Sequence, residues 1–189
     1  MRIILASSSP RRQKLLKRIG IDFEVIPPKT TEENMKCKKD PAELVKYLSF
    51  KKAKEVYERT FDERLVIAAD TIVVFNGKIL GKPKTPQEAK NFLTTLSGKS
   101  HEVYTGVYFI WDGGEHFFYE KTAVWFRKLP DYIVDKYIKI GSPFDKAGGY
   151  GIQDLGSVFV EKIEGDFYNV MGFPIGKVWS FLYKKGWWR

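Results

Sequence analysis

The sequence predicts an α/β fold, a mixed sheet with flanking helices, on three observations. A short apolar run, Arg2 to Ala6, leads directly into a helix start at Ser9-Pro10. Two turn signals, Asn76-Gly77 and Asp112-Gly113-Gly114, each join a pair of β-rich runs. Segments with helical spacing stand between them behind recognisable caps. Strands alternate with helices and hairpins are inserted, which argues one elongated domain over residues 1–189.

Taken in order, Arg2 to Ala6 reads as a short buried strand. Ser9 suits an N-cap, Pro10 the first helical position, and Leu15, Leu16 and Ile19 share one helical face up to the stop at Gly20. Phe23 to Ile26 is a second short strand, ended by Pro27-Pro28. Asp40-Pro41 opens a helix in which Leu44, Val45, Leu48 and Val56 recur at helical spacing. Leu65 to Phe75 is a long apolar run broken by Asp70-Thr71, and Asn76-Gly77 turns it into Lys78-Ile79-Leu80. Thr85-Pro86-Gln87-Glu88 is a capping box for a helix running to about Leu96. His101 to Ile110 and His116 to Lys128 form the second hairpin. Pro130-Asp131 starts a helix with Ile133, Val134, Tyr137 and Ile138 as its apolar face. A glycine-rich loop follows from Gly141 to Gly156, then a strand from Ser157 to Ile163, and Pro174 begins the last helix.

Composition narrows the function classes. Apolar residues make up 43% of the chain and aromatic residues 15%, enough to build a core, so a disordered chain is excluded. The single cysteine cannot form an internal disulfide, and no Cys/His cluster offers a structural zinc site. The N-terminal apolar run is too short for a signal peptide and no stretch is long enough to span a membrane, so the expected location is the cytoplasm. The formal charge of +9 attracts polyanions without choosing among nucleic acid, phosphorylated small molecules and anionic surfaces.

Three places carry candidate chemistry. Ser7-Ser8-Ser9-Pro10-Arg11-Arg12 joins a strand to a helix, so the positive end of a helix dipole, hydroxyl groups and two guanidinium groups converge where an anion would bind. Asp70 interrupts an apolar run, and a carboxylate in such surroundings requires a cation, a metal or a chemical task. Lys82 follows in Gly81-Lys82-Pro83, while Lys52 stands among other lysines and, read alone, is a solvated helix charge. Glu32-Glu33 offers carboxylates to a cation in the polar loop before the second helix. Gln153 ends Gly148-Gly149-Tyr150-Gly151-Ile152-Gln153, and its amide carries both a donor and an acceptor suited to a nucleobase edge. Ser97-Gly98-Lys99-Ser100 imitates the end of a P-loop, but the earlier glycine is replaced by Leu93 and a helix rather than a strand precedes it.

Ala6 to Arg12, Ala69-Asp70-Thr71, Gly81-Lys82-Pro83, Ser97-Gly98 through Thr105-Gly106-Val107, Ala147 through Gln153 and Asn169 through Pro174 occur in one order along the chain. Together they resemble the Maf family of nucleotide pyrophosphatases, over essentially the whole length. The resemblance implies a two-lobed Maf/ITPase-like α/β domain with a central cleft. It also implies hydrolysis of nucleoside triphosphates to the monophosphate and pyrophosphate with a divalent metal, Mg²⁺ or Mn²⁺. Carried over by position, Asp70 is the proton acceptor, with Glu33 and Asp70 as metal ligands. Ser7, Arg11, Arg12, Glu33, Lys52 and Lys82 line the phosphate site. Tyr150-Gly151-Ile152-Gln153 resembles the branch acting on dTTP and UTP, extending to modified pyrimidine nucleotides, in which Arg12, Thr71 and Gln153 are tied to substrate choice. The implied partners are the nucleotide and a second copy of the chain, with no membrane and no stable nucleic-acid complex. Two alternatives stay open at this point: action on methylated guanine nucleotides, and a non-catalytic nucleic-acid binder or cell-division regulator.

Overall fold

The computed structural model describes residues 2–29, 40–141 and 143–188. Its elements are β1 (Arg2–Ala6), α1 (Pro10–Arg18), β2 (Glu24–Val25), α2 (Pro41–Glu58), β3 (Arg64–Phe75), β4 (Lys78–Leu80), α3 (Pro86–Leu96), β5 (Ser100–Trp111), β6 (Gly114–Phe126), α4 (Asp131–Ile140), β7 (Val160–Glu164), α5 (Phe167–Val170) and α6 (Ile175–Lys184). The sheet is mixed, in the order β2-β1-β3-β5-β6-β7, with β4 paired on β3. β1 runs parallel to β2 and β3, whereas β4 and β7 run antiparallel to their partners. The chain divides into two compact units. One is Met1–Asp70, Thr105–Glu120 and Gly172–Arg189; the other is Thr71–Tyr104 and Lys121–Met171.

In the first unit, β1 and β3 pair with Ile4 opposite Val66 and Ala6 opposite Ala68. The two-residue period of a strand puts these four side chains on one face. They pack there against Ala53 and Val56 of α2, together with Tyr108 and Ile110 of β5. α2 begins where Asp40 accepts a hydrogen bond from the Ala42 amide (2.8 Å), with Pro41 at the first position. Gly106 of β5 keeps α2 close, because a β-carbon there would lie 2.7 Å from the Val45 carbonyl oxygen.

In the second unit, Leu93 and Leu96 of α3 and Val134 and Tyr137 of α4 pack on Val103, Val124 and Phe126. α3 starts on the expected cap, since Thr85 accepts from the Glu88 amide (3.1 Å). The Glu88 carboxylate reaches one residue further back than in a standard capping box, to the Lys84 amide (2.7 Å). The hairpin joining β3 to β4 takes φ of 48° at Asn76 and 74° at Gly77, the left-handed pair that Asn-Gly supplies at low cost. Two local differences from the sequence reading arise here. The last strand starts at Val160 rather than Ser157, because Leu155–Phe159 winds as a 3-10 turn and the Ser157 amide is taken by the Asp154 carbonyl (2.8 Å). A further short helix, α5, forms because the Asp166 carboxylate accepts from the amides of Tyr168 (2.6 Å) and Asn169 (3.3 Å).

His101 is 3% exposed in this second core, and its Nε2 shares a 2.6 Å hydrogen bond with the Tyr150 hydroxyl. Burial lowers its pKa to about 4 and raises that of Tyr150, so the pair is neutral at pH 7. The unfolded chain therefore binds a proton at His101 near pH 6.5 that the native protein refuses until about pH 4. Stability from this site is full above pH 6.5 and is lost as pH falls toward 4, by about 3 kcal/mol. Urea unfolding at several pH values should show this slope in the wild type and lose that part of it in His101→Gln. An unchanged slope in the variant would show that other groups carry the acid sensitivity.

Candidate active site

The first unit assembles two of the sequence-predicted groups. β1 ends at Ala6, and the chain turns through Ser7, Ser8 and Ser9 into α1. Ser9 is the N-cap by position, yet its side chain makes no capping bond. Ser7, buried at 4% exposure, instead ties down the turn that leads into the helix. Its Oγ accepts from the Ser9 amide (3.1 Å) and, more weakly, from Arg12 Nη1 (3.5 Å). Arg12 Nε donates to the Gly172 carbonyl (2.8 Å), which fixes the guanidinium on the loop before α6. Arg11 lies half-buried on the same first turn, which contains no acidic side chain. The result is a basic helix N-terminus with one guanidinium held in a defined orientation.

Asp70 lies at the corresponding level of β3. Because Ala6 pairs with Ala68, the turn after β1 runs alongside Ala69 and Asp70. Asp70 is two residues beyond Ala68, so the alternation of the strand turns it to the face covered by α2. Lys52 stands on that same helix, three residues after buried Ser49 and four before buried Val56. Its ammonium meets the Asp70 carboxylate in an ion pair whose side chains are 14% and 8% exposed. Lys52 is thus a half-buried partner of buried Asp70, where the isolated sequence reads as a solvated charge. A buried pair of this kind adds little net stability, while removing either member is costly.

Thr71, Lys82 and Gln153 belong to the second unit. Thr71 is half-buried on β3, Lys82 is exposed in the loop after β4, and Gln153 is exposed beyond the glycine-rich turn. The Gly148 amide donates to the Gly81 carbonyl (3.0 Å), so the Gly81-Lys82-Pro83 loop and the glycine-rich turn are fastened together. Gly148 and Gly149 have φ of 68° and 76°, and a β-carbon on Gly148 would press on Val73 at 3.0 Å. The P-loop imitation is structural, as the sequence indicated. Ser97 Oγ accepts from the Leu129 amide (2.7 Å) and Lys99 donates to the Thr95 carbonyl (3.1 Å). Glu33, with Glu32, lies outside the described residues.

One charged residue escaped the sequence reading. Lys146 is 6% exposed and pairs with Asp145 (2.6 Å) and Asp154 (3.3 Å). Its signal was a lysine flanked by an aspartate on one side and by a glycine-rich run ending in another aspartate. Asn169, by contrast, is part of the frame, since its Nδ2 donates to the Val103 carbonyl (3.0 Å) and to Thr122 Oγ1 (2.8 Å).

A basic helix N-terminus at the carboxyl end of a parallel strand, beside a buried carboxylate on the neighbouring strand, is an arrangement with which α/β proteins receive anionic ligands. The chain belongs to the Maf family, for a family model described as Maf-like protein matches residues 2–185. It is 52% identical over its full length to a protein from Thermotoga maritima named dTTP/UTP pyrophosphatase, of which it covers 92%. A protein of the same name from Thermosipho africanus is 50% identical, over 98% of this chain and 94% of that one. Among solved structures, a HAM1 protein from Coxiella burnetii aligns with a TM-score of 0.51 over 97% of this chain and 99% of its own. At 16% identity it is a likeness of fold alone.

Proposed function

We propose that this protein hydrolyses dTTP and UTP to the nucleoside monophosphate and pyrophosphate. The observation that carries the reading is the Asp70–Lys52 pair, formed between β3 and α2 and largely buried, beside the basic start of α1. The names of the relatives that are about half identical to the chain support the substrate class.

In the reaction, a water oxygen attacks the α-phosphorus and its proton passes to the Asp70 carboxylate. The bond from the α-phosphorus to the bridging oxygen breaks, and pyrophosphate leaves with the electron pair. Lys52 holds the Asp70 carboxylate in one orientation, so the base is positioned before substrate arrives. Ser7, Arg11, Arg12 and Lys82 bind the phosphates. The guanidinium of Arg12, already anchored on Gly172, offers a fixed donor to charge that develops as the bond breaks. Thr71 and Gln153 select the base.

Among the described residues no group of three or more His, Cys, Asp or Glu side chains is placed to hold a metal ion. Asp70 supplies one carboxylate, and Mg²⁺ is commonly held by one or two carboxylates plus substrate phosphates. The donor set therefore fits a divalent cation, Mg²⁺ or Mn²⁺, that arrives with the triphosphate, with Asp70 as its protein ligand and Glu33 as a second. When bound, such an ion supplies Lewis-acid neutralisation of phosphate charge. No helix of the described residues is long and apolar enough to cross a membrane. We assign the activity to the cytoplasm, with the nucleotide as its principal partner.

The test is pyrophosphate release from a panel of canonical and modified nucleoside triphosphates, with Mg²⁺ or Mn²⁺ and with excess chelator. Release favouring dTTP and UTP, and abolished by chelator, is expected. Release favouring a guanine nucleotide would keep the phosphate chemistry and overturn the base assignment. No release by folded protein would move the reading to a binding module.

A further inference from the structure

We propose that Lys146 is a positioning residue for substrate choice, acting as a strut beneath the turn that presents Gln153. The inference rests on the reading of Gln153 as the residue facing the base. The Asp154 amide donates to the Gly151 carbonyl (3.2 Å), which closes a four-residue turn with Ile152 and Gln153 at its centre. Ile152 is buried and Gln153 is exposed, so one central residue anchors the turn and the other is displayed.

Lys146 touches both ends of this turn. Its Nζ reaches Asp154 Oδ2 at 3.3 Å, which ties residue 146 to residue 154 across the glycine-rich run. Its stem passes over Gly151, where a β-carbon would lie 2.6 Å from Lys146 Cε and 2.7 Å from Asp154 Oδ2. Glycine at 151 is therefore the condition for the lysine to lie against the turn. Just before it, Tyr150 fixes the strand of chain from the other side, with its hydroxyl on His101 (2.6 Å) and its ring on Phe126 (4.7 Å between centroids).

An ammonium that is 6% exposed is an expensive way to fill space. Its two carboxylate partners are half-exposed, at 55% and 44%, so water can solvate them if the lysine is lost. The fold therefore has less need of the charge than the geometry of the turn does. An amide reads a base edge only when it is held within a few tenths of an ångström of its productive position. The Lys146 link supplies that constraint one residue from Gln153.

The experiment compares Lys146→Met, Asp154→Ala, Gln153→Ala and the Lys146→Met/Gln153→Ala double variant, with kcat/KM measured for dTTP and for ATP. The preference for dTTP should fall about tenfold in Lys146→Met and Asp154→Ala, chiefly through KM. Gln153→Ala should lose at least as much, and the double variant no more than Gln153→Ala alone, because the strut acts through the amide. Parallel losses for both nucleotides with an unchanged ratio would mark a merely structural role and overturn the proposal. A preference kept within about twofold in the two strut variants but lost in Gln153→Ala would overturn the strut alone. A preference kept in Gln153→Ala would overturn the base assignment and the strut with it. Should Lys146→Met fail to fold, Asp154→Ala decides, since it removes an exposed partner and leaves Lys146 paired with Asp145.

Discussion

Replacing Asp70 by Asn is expected to lower kcat for dTTP by about a thousandfold and to leave a folded protein. The amide matches the carboxylate in size and its Oδ1 still accepts a hydrogen bond from Lys52, so the local geometry survives. What is lost is the capacity to take a proton from water, the contribution of a positioned general base. Because both side chains of the pair are largely buried, the variant also leaves Lys52 without its counter-charge. The expected stability loss is about 2 kcal/mol, below the cost of an empty partner position because the amide oxygen remains. Thermal unfolding separates the two effects, and stabilisation of the variant by dTTP would show that binding persists. Full hydrolytic activity in Asp70→Asn would sink the assignment of the base.

The same pair shows how far the residues could be read without coordinates. Asp70 was legible because an apolar strand does not admit a carboxylate without reason. Lys52 was not, because position along a helix gives a face only once it is known which face the sheet covers. The stripe Val45, Leu48, Ser49, Ala53 and Val56 contains a serine, and Lys52 follows Lys51. Only the register of β1 on β3, with Ala6 opposite Ala68, places Asp70 opposite that stripe. The turns and caps at Asn76-Gly77, Asp40-Pro41 and Thr85 were legible because each is a local event, decided by a few neighbouring residues. Ser157–Phe159 reads as the start of the last strand because two local signals compete there. Its valine and phenylalanine favour strand, and the local bond from the Ser157 amide to the Asp154 carbonyl, three residues back, overrides them. Lys146 escaped because a buried lysine is identified by partners distant in sequence, here Asp154. The Ser7 hydroxyl was expected to serve a ligand and is in addition part of the turn itself.

That double use of side chains makes Arg12 the second position where a large loss is expected. Its Nε is committed to the Gly172 carbonyl at 2.8 Å, and Nη1 leans on Ser7 Oγ at 3.5 Å. The planar fork of a guanidinium holds such an anchor and still presents further N–H groups in fixed directions, which an ammonium cannot do. Arg12→Ala should lower kcat/KM for dTTP by about two to three orders of magnitude, the scale for removing a fixed donor to transition-state charge. The decisive variant is Arg12→Lys, which preserves the formal charge. If net positive charge at the start of α1 were all that mattered, lysine would restore most of the activity, and the remaining loss would shrink further at low ionic strength. If orientation matters, as the anchoring on Gly172 argues, lysine should recover less than about tenfold of the loss at any salt concentration. Steady-state kinetics of the three proteins at two ionic strengths would decide between these, and full rescue by lysine would reduce Arg12 to a contributor of charge alone.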